Sequence, residues 1–446
     1  MKTITLLTSG TRGDVLPYMA LGLGLRAAGY NVRIAAPIGF KGLIEPSGLT
    51  FAPFEGNPSD LMVNQGNPLT LGRSILHSVR ATLDFLDKAS KLYGRMLHTA
   101  ANACRGSDVL LYGLATLWGA HMAEGLSIPG IRALLQPMAP TRQFSSALLP
   151  FRFSFLRIGN WLSHWIVTQA AWLACRDEIN QARRTHLKLP RAHWFDPSLR
   201  PFPHQPLTLN GFSEEIVPRP HDWNEKQIIT GYWRSSGIRQ PRCGAMATQA
   251  AEISEQQVSP SRGSRDHGDA VRLQNFIGQS PQNTIAIGLG SPGTRDFVQF
   301  MNILDHALKR SDSRAVLTIP SQWHDQVRSK RICPIAYVPH DWLYQHVRVA
   351  VHHGGAGTTS ASLHAGIPTV TLPLAIDQFF WAERVYKMGV GPRPVPQRSL
   401  NADKLANAIQ QALSDKSMYE NAKRISEVLC LEDGVQAAVR VIREVV

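Results

Sequence analysis

A glycine-rich run that follows an apolar stretch is the part of this sequence whose chemistry is clearest. Residues 352–359 read His-His-Gly-Gly-Ala-Gly-Thr-Thr, between a pattern typical of a strand and one typical of a helix. Glycine lets backbone amides approach an anion closely, and the unpaired amides of a helix N-terminus favour negative charge. His353 beside the loop adds a further donor, and Thr358 adds a hydroxyl. The run predicts phosphate binding; the alternative is a tight strand-to-helix turn in which glycine only provides space.

A second polar loop lies near the N-terminus. Residues 8–17 read Thr-Ser-Gly-Thr-Arg-Gly-Asp-Val-Leu-Pro, after an apolar run and before a helix that we expect to start at Pro17. This order places Arg12, Gly13 and Asp14 at the carboxyl end of a strand, where parallel-sheet enzymes keep their sites. Taken alone, an aspartate in such a turn is more typical of a local hydrogen bond.

Two further patterns are weaker. Residues 288–293 match G-x-G-x-x-G, but the next strand ends in Thr-Ile-Pro-Ser and lacks the acidic residue of a dinucleotide site, which argues against nicotinamide binding. A row of residues shares one face of a predicted helix: Trp161, Trp165, Thr168 and Trp172. A core stripe is the favoured interpretation of this row, and an aromatic wall for a flat lipophilic ligand is the alternative.

A repeated strand–helix pattern must position these residues. Strand-like runs occur at 3–8, 31–36, 108–112, 131–135, 284–288, 315–319, 349–352 and 369–372, and helical patterns at 19–28, 155–187, 296–309 and 378–388. Such alternation predicts an α/β fold with parallel sheets covered on both faces. With 446 residues, two domains are expected, at 1–234 and 273–431. Residues 235–272 have a linker composition, rich in Gly, Ser, Gln, Pro and Arg.

Composition narrows the class of partner. The formal charge of +14 favours anionic partners, but there is no basic arm, zinc-finger spacing or aromatic RNA-binding signature, so no nucleic acid is expected. No run reaches the roughly 18 apolar residues that span a bilayer. The five cysteines form no C-x-x-C pair and predict free thiols. Together with a polar N-terminus, these features predict a soluble, cytoplasmic protein.

The motifs and their spacing resemble the donor-binding signature of family 1 of the nucleotide-sugar-dependent glycosyltransferases. The resemblance rests on His353, on Ala-Gly-Ile-Pro at 365–368, on Leu374 and on Asp377 with Gln378, which match without a gap. The double histidine and Val-Pro-His-Asp-Trp-Leu at 338–343 are similar to the subgroup of sterol glucosyltransferases and glycopeptide-antibiotic glycosyltransferases. Three other segments match this subgroup: 217–220, 230–233 and 288–291.

The resemblance covers nearly the whole chain except residues 235–272. It implies the GT-B fold, with two facing Rossmann-like domains and the active site in the cleft between them. It also implies that a final helix, residues 432–446, packs back on the first domain.

For the donor, the resemblance implies a role for each matched residue. The diphosphate is held by His353 and the amides of Gly355, Gly357 and Thr358, helped by Ser291. The segment with Val338 and His340 contacts the nucleobase of the donor. Asp377 and Gln378 bond the sugar hydroxyls, and their paired donors and acceptors suit vicinal hydroxyls. The alternative for this pair is a cap on the following helix.

For the acceptor, the resemblance makes Asp14 the candidate general base, because plant members of the family have their catalytic histidine there. An exposed carboxylate with a pKa of about 3.9 is a weak base toward an alcohol. Either the site raises this pKa, or Asp14 mainly orients the hydroxyl. Arg12 and Gly13 belong to the same loop, and Trp161 and Trp165 are the candidate acceptor wall.

The implied reaction is an inverting transfer of a hexosyl group from a nucleotide-diphosphate sugar, UDP-glucose foremost, to a hydroxyl of a lipophilic acceptor such as a sterol. The alternatives are a natural-product aglycone with a dTDP- or UDP-sugar, a nucleotide-sugar epimerase and a non-catalytic nucleotide-sugar-binding partner. The sequence contains no D-x-D pair, which predicts that neither a metal nor a cofactor is required. The positive charge and the apolar, arginine-flanked residues 148–165 predict peripheral contact with anionic membranes; the alternative is a buried pocket wall.

Overall fold

The chain forms two compact units, each with its own sheet. The computed structural model describes residues 1–58, 75–149, 157–196, 199, 205–234, 265–289 and 297–446. One unit comprises Met1–Arg239 with Glu432–Val446, and the other comprises Gln240–Leu431.

The first unit contains a seven-stranded parallel sheet in the order β3-β2-β1-β4-β5-β6-β7. Its strands are β1 (Thr3–Leu7), β2 (Asn31–Pro37), β3 (Thr50–Phe54), β4 (Val109–Tyr112), β5 (Gly130–Leu134), β6 (Thr208–Asn210) and β7 (Gln227–Ile229). Its helices are α1 (Arg12–Ala27), α2 (Lys41–Ile44), α3 (Ile75–Cys104), α4 (Gly119–Leu126) and α5 (Arg157–Thr185). The central strand of this sheet, β4, is apolar on both faces and fully buried, which is the pattern of a parallel sheet covered by helices.

The second unit contains a five-stranded parallel sheet in the order β10-β9-β8-β11-β12. The strands are β8 (Thr284–Gly288), β9 (Arg314–Thr318), β10 (Ile332–Ile335), β11 (Val349–His352) and β12 (Thr369–Thr371). The helices are α6 (Arg265–Gly278), α7 (Phe297–Arg310), α8 (His340–Leu343), α9 (Ala356–His364), α10 (Gln378–Lys387), α11 (Ala402–Ser414) and α12 (Lys416–Leu429). A last helix, α13 (Gly434–Val445), belongs to the first unit and packs on α1, where Gly24 meets Val435.

Both sheets reverse their strand order beside the first strand. β1 lies between β2 and β4, and β8 lies between β9 and β11. Ligands of open parallel sheets bind beyond the carboxyl ends of the strands at such a reversal. The Asp14 loop follows β1, and the glycine run follows β11, where His352 is in register with Gly288 of β8. Topology therefore puts both predicted loops at the positions where this kind of sheet binds ligands.

The α/β class and its parallel sheets are confirmed, but several boundaries differ from the predictions. Helix α1 begins at Arg12 and contains Pro17, because a capping box between Thr11 and Asp14 starts the helix earlier. Helix α6 begins at Arg265, inside the predicted linker, because Leu273 and Ile277 anchor it in the core of the second unit. The predicted boundary between residues 272 and 273 thus falls within a helix. Residues 235–264 lie outside the described part of the chain.

The cysteine prediction is partly wrong. Cys104, Cys175 and Cys333 are free thiols, but Cys430 is disulfide-bonded. Spacing along the chain does not indicate which thiols the fold brings together. Across the described residues, no helix is both long and apolar enough to cross a membrane.

Candidate functional site

Asp14 lies in the first turn of α1 and organises the loop that precedes it. Its Oδ2 atom accepts the backbone N–H of Thr11 at 2.7 Å and the Thr11 hydroxyl at 2.8 Å. This is a capping box, which satisfies a donor that the helix end would leave unpaired. The local hydrogen-bonding role of Asp14 is therefore present, and it fixes the carboxylate at the carboxyl end of β1.

Burial changes the acidity of this carboxylate. Desolvation raises the pKa of Asp14 above its usual value, and the two hydrogen bonds from Thr11 oppose the rise. Burial, with the Asp14 charge as a second cause, also raises the pKa of Tyr18, whose hydroxyl donates to the Ala133 carbonyl. A carboxylate with a raised pKa is a stronger base toward a hydroxyl than an exposed one.

Asn57 is a residue of this site that the sequence analysis missed. Its Oδ1 atom accepts the Gly10 N–H at 3.0 Å, and its Nδ2 atom donates to the Gly10 carbonyl at 2.9 Å. Gly10 has a φ of +120°, and an added Cβ would lie 2.5 Å from Asp14 Oδ2. The amide thus clamps a backbone that only glycine adopts readily. No local pattern indicated this contact, because 47 residues separate the partners.

The candidate acceptor residues are distributed along α1 and α5. Arg12 and Gly13 occupy the first turn of α1 rather than a loop. The core-stripe interpretation of the tryptophan row holds only for Trp172, which is 5% exposed, whereas Trp161 is 42% exposed. Trp165 is half-buried and lies 5.9 Å from the ring of Phe195. The exposure of these tryptophan side chains therefore decreases along α5, from the surface at Trp161 to the core at Trp172.

The glycine run forms the N-terminus of α9. Gly355 is its N-cap in an extended conformation, and no side chain caps the helix. The first internal bond runs from Thr359 N–H to the Gly355 carbonyl at 2.9 Å, so the preceding amides have no carbonyl partner within the helix. Gly357 is exposed, Gly355 and Thr358 are half-buried, and Thr359 is fully buried. These amides, with the positive end of the helix dipole, make an anion site.

Histidines line one side of this run. The Nδ1 atom of His353 is buried and has no hydrogen-bond partner among the described residues. Burial lowers the pKa of His353, and a hydrogen bond with the Gly288 backbone partly opposes this decrease. Burial also lowers the pKa of His340 to about 4, and its ring stacks on Tyr344 at 5.1 Å. A buried nitrogen without a partner, beside uncapped amides, fits a phosphate group as the hydrogen-bonding partner.

Asp377 and Gln378 lie beside the same loop. An added Cβ on Gly354, which has a φ of +87°, would lie 2.9 Å from the Gln378 carbonyl oxygen. Asp377 makes no side-chain cap bond to α10; its Oδ2 atom accepts Trp381 Nε1 at 3.0 Å. Gln378 Oε1 accepts the backbone amides of Leu374 and Ala375. The helix-cap alternative for Asp377 is thus not what the structure shows.

The structure brings most of the predicted donor residues that it describes together. Val338 is 2% exposed and packs in the core of the second unit, so its side chain has little surface to offer a ligand. Ser291 lies outside the described residues. Ile376, next to Asp377, has a φ of +54°, a strained value for a β-branched residue and a frequent sign of a functional site. The described residues include no group of three or more metal-ligating side chains.

Comparisons with known proteins agree with this geometry. The N-terminal domain of glycosyltransferase family 28 matches residues 4–145, and the erythromycin biosynthesis protein CIII-like C-terminal domain matches residues 302–434. The glycotransferase of kitacinnamycin has the same fold, with a TM-score of 0.67 and 16% identity over 99% of this chain and 98% of its own. The calicheamicin glycosyltransferase CalG4 also has this fold, with a TM-score of 0.64 and 14% identity over 100% of this chain and 98% of its own. Two parallel sheets of this topology are the GT-B fold of these glycosyltransferases.

Relatives by sequence are more specific. The chain is 32% identical to the sterol 3-beta-glucosyltransferase of Debaryomyces hansenii, over 98% of this chain and 26% of that protein. It is also 32% identical to the sterol 3-beta-glucosyltransferase of Emericella nidulans, over 98% of this chain and 30% of that protein. The chain is therefore homologous to part of these enzymes, through a glycosyltransferase family 28 N-terminal domain and an erythromycin biosynthesis protein CIII-like C-terminal domain, and it spans less than a third of the length of either one.

Proposed function

We propose that this chain is an inverting hexosyltransferase that moves a sugar from a nucleotide-diphosphate donor, UDP-glucose foremost, to a hydroxyl of a sterol or related lipid. The observation that carries the proposal is the 32% identity to sterol 3-beta-glucosyltransferases over 98% of this chain. The uncapped N-terminus of α9 supports it, since a nucleotide diphosphate needs such an anion site.

On the donor side, the amides of α9 and His353 hold the diphosphate. They stabilise the negative charge that grows on the leaving group, without help from a metal. Asp377 and Gln378 bind the sugar hydroxyls beside the loop. The nucleobase is assigned to the segment of His340, which lies near Gly288 at the end of β8.

On the acceptor side, Asp14 accepts the proton of the attacking hydroxyl. The acceptor oxygen forms a bond to the anomeric carbon while the bond from that carbon to the phosphate oxygen breaks, which inverts the configuration in one displacement. The raised pKa of Asp14 supports a role as base, because burial removes the solvation that weakens an exposed carboxylate.

The natural-product alternative rests on the solved structures, which share only 14–18% identity with the chain and indicate the fold alone. A mass-spectrometric screen separates the possibilities. The chain is incubated with UDP-glucose or dTDP-glucose and a sterol, a polyketide or a phenol. A sterol glucoside is expected. Glycosylation of the polyketide alone favours the alternative; an epimerised donor or binding without turnover overturns the proposal.

We also propose that the acceptor is reached at an anionic membrane surface. Ile158, Leu162 and Ile166 recur at every fourth position of α5 and are 43–73% exposed, next to the exposed Trp161. Such a face, on a chain of charge +14 with exposed Arg157 at its end, suits anionic lipid. Arg152 lies outside the described residues.

Vesicle sedimentation tests this contact. Ile158→Ser with Ile166→Ser is expected to lose binding to phosphatidylserine vesicles, whereas Val298→Ser, a similarly exposed site in the second unit, keeps it. Salt should weaken the wild-type binding. No wild-type binding at low salt, or equal binding by both variants, contradicts the membrane proposal.

A further inference from the structure

His352 is a buried histidine in the glycine run to which the reaction described above gives no task. It ends β11 and is 0% exposed. A fully buried imidazole must have its polar atoms paired to be tolerated, so its partners indicate its role.

The partners of His352 determine its tautomer. Nδ1 accepts the backbone N–H of Gly354 at 3.0 Å and therefore carries no proton. Nε2 lies 3.4 Å from Ser362 Oγ, and the Ser362 hydroxyl donates to the Thr359 carbonyl at 3.1 Å. Since the serine hydrogen is used there, Nε2 carries the ring proton and donates it to Ser362. Burial, followed by the nearby His353 and His340, holds the pKa of His352 well below its usual value and keeps the ring neutral.

This network acts on the residue that shapes the anion loop. Gly354 has a φ of +87°, and the Gln378 carbonyl leaves no room for a side chain. Its N–H turns inward to His352, and the chain then enters α9, where Thr359 and Ser362 complete the network on the first and second turns. The ring therefore ties the strand end, the glycine turn and the start of the helix to one another.

We propose that His352 is a positioning residue: its neutral Nε2–H tautomer clamps Gly354 so that the amides from Gly355 to Thr358 are preorganised for a nucleoside diphosphate. This inference rests on the proposed function. Preorganised donors bind an anion more tightly because no loop ordering is needed on binding.

A matched pair of variants tests the clamp. In His352→Asn the side-chain oxygen takes the position of Nδ1 and still accepts the Gly354 N–H, whereas His352→Leu removes the acceptor. Calorimetric titration with UDP is expected to show a loss of affinity of about tenfold for the Leu variant, since one lost hydrogen bond is worth about that factor. The Asn variant should stay within about threefold of wild type, a rescue that a general packing role of the ring would not produce.

Nitrogen-15 NMR of the wild-type ring gives a second readout that does not depend on a variant folding. It is expected to show the neutral tautomer with the proton on Nε2. A proton on Nδ1, equal UDP affinity of the Leu variant and wild type, or equal loss in both variants overturns the inference. A wild-type chain that binds neither UDP nor dTDP overturns the proposed function as well.

Discussion

At the scale of single residues, Asp14 shows how one carboxylate serves folding and chemistry together. Its Oδ2 atom completes the capping box of α1, and burial raises its pKa against the opposing bonds from Thr11. The acidity of the proposed base is therefore set by a balance between desolvation and two local hydrogen bonds. Changing one of those bonds should move the pH dependence of the reaction in a known direction.

Thr11→Val removes the hydroxyl that bonds the ionised form of Asp14 and keeps the backbone N–H. The ionised form loses a stabilising partner, so the pKa of Asp14 rises further. We expect the acidic limb of the profile of kcat/KM against pH to move to higher pH. If the limb stays unchanged or moves to lower pH, ionisation of Asp14 does not determine the acidic limb.

Asn57→Ala removes both bonds to Gly10 and should lower kcat. Each lost bond costs about 1 kcal/mol of loop positioning, so a decrease of roughly tenfold or more is expected. Asn57→Asp keeps an acceptor for the Gly10 N–H and should lose less. Affinity for the donor should stay unchanged in both variants, since the proposed donor residues are in the second unit. A loss of UDP affinity in the same variants would contradict the assignment of donor binding to the second unit.

At the scale of elements, the helices of the second unit differ in how their N-termini are capped. In the second unit, α11 and α12 are capped by Asn401 and Asp415, whose side chains accept first-turn amides. Helices α9 and α10, beside the proposed donor, have no side-chain cap. Uncapped amides are costly unless water or a ligand pairs them, which is the state expected of a helix that binds an anion.

The contact between α1 and α13 gives an element-scale prediction. An added Cβ on Gly24 would lie 2.2 Å from Val435 Cγ1, so Gly24→Ala must push α13 away. We expect a loss of about 1–3 kcal/mol in the free energy of unfolding, measured in denaturant. Gly42→Ala is the control, because nothing lies within 4 Å of its added Cβ. Equal stability of the two variants would mean that α13 does not pack as described.

The sequence predicted the buried strands well, because long apolar runs bounded by turn residues have few other structures available. It misplaced the start of α1, since Pro17 resembled a first helical residue while Thr11 and Asp14 formed the actual cap. Short strands such as β6 and β7, of three residues each, gave no period to detect. Asn57 and the inward bond of His352 depend on tertiary contacts, which no local pattern contains.

At the scale of the whole molecule, the proposed donor residues and the proposed acceptor residues belong to different units, each with its own parallel sheet. The proposed stabilisation of the leaving group comes from α9 and His353, and the sequence has no D-x-D pair. Activity in excess EDTA should therefore equal activity without it. Abolition by EDTA with rescue by magnesium or manganese would mean that a metal, rather than these groups, stabilises the diphosphate.

The most direct test of the whole account is transfer of labelled glucose from UDP-glucose to a sterol by the wild type and by Asp14→Asn, with UDP affinity and thermal stability measured on the same samples. Asparagine keeps an acceptor for Thr11 but is not a base. Turnover should fall by roughly 10²–10⁴, the usual contribution of a general base, at unchanged UDP affinity. Because the folded pKa of Asp14 is raised, its ionised form costs stability at pH values above it, so the variant should be at least as stable as wild type near pH 7. Near-normal transfer by Asp14→Asn, or no transfer by the wild type, would contradict the account.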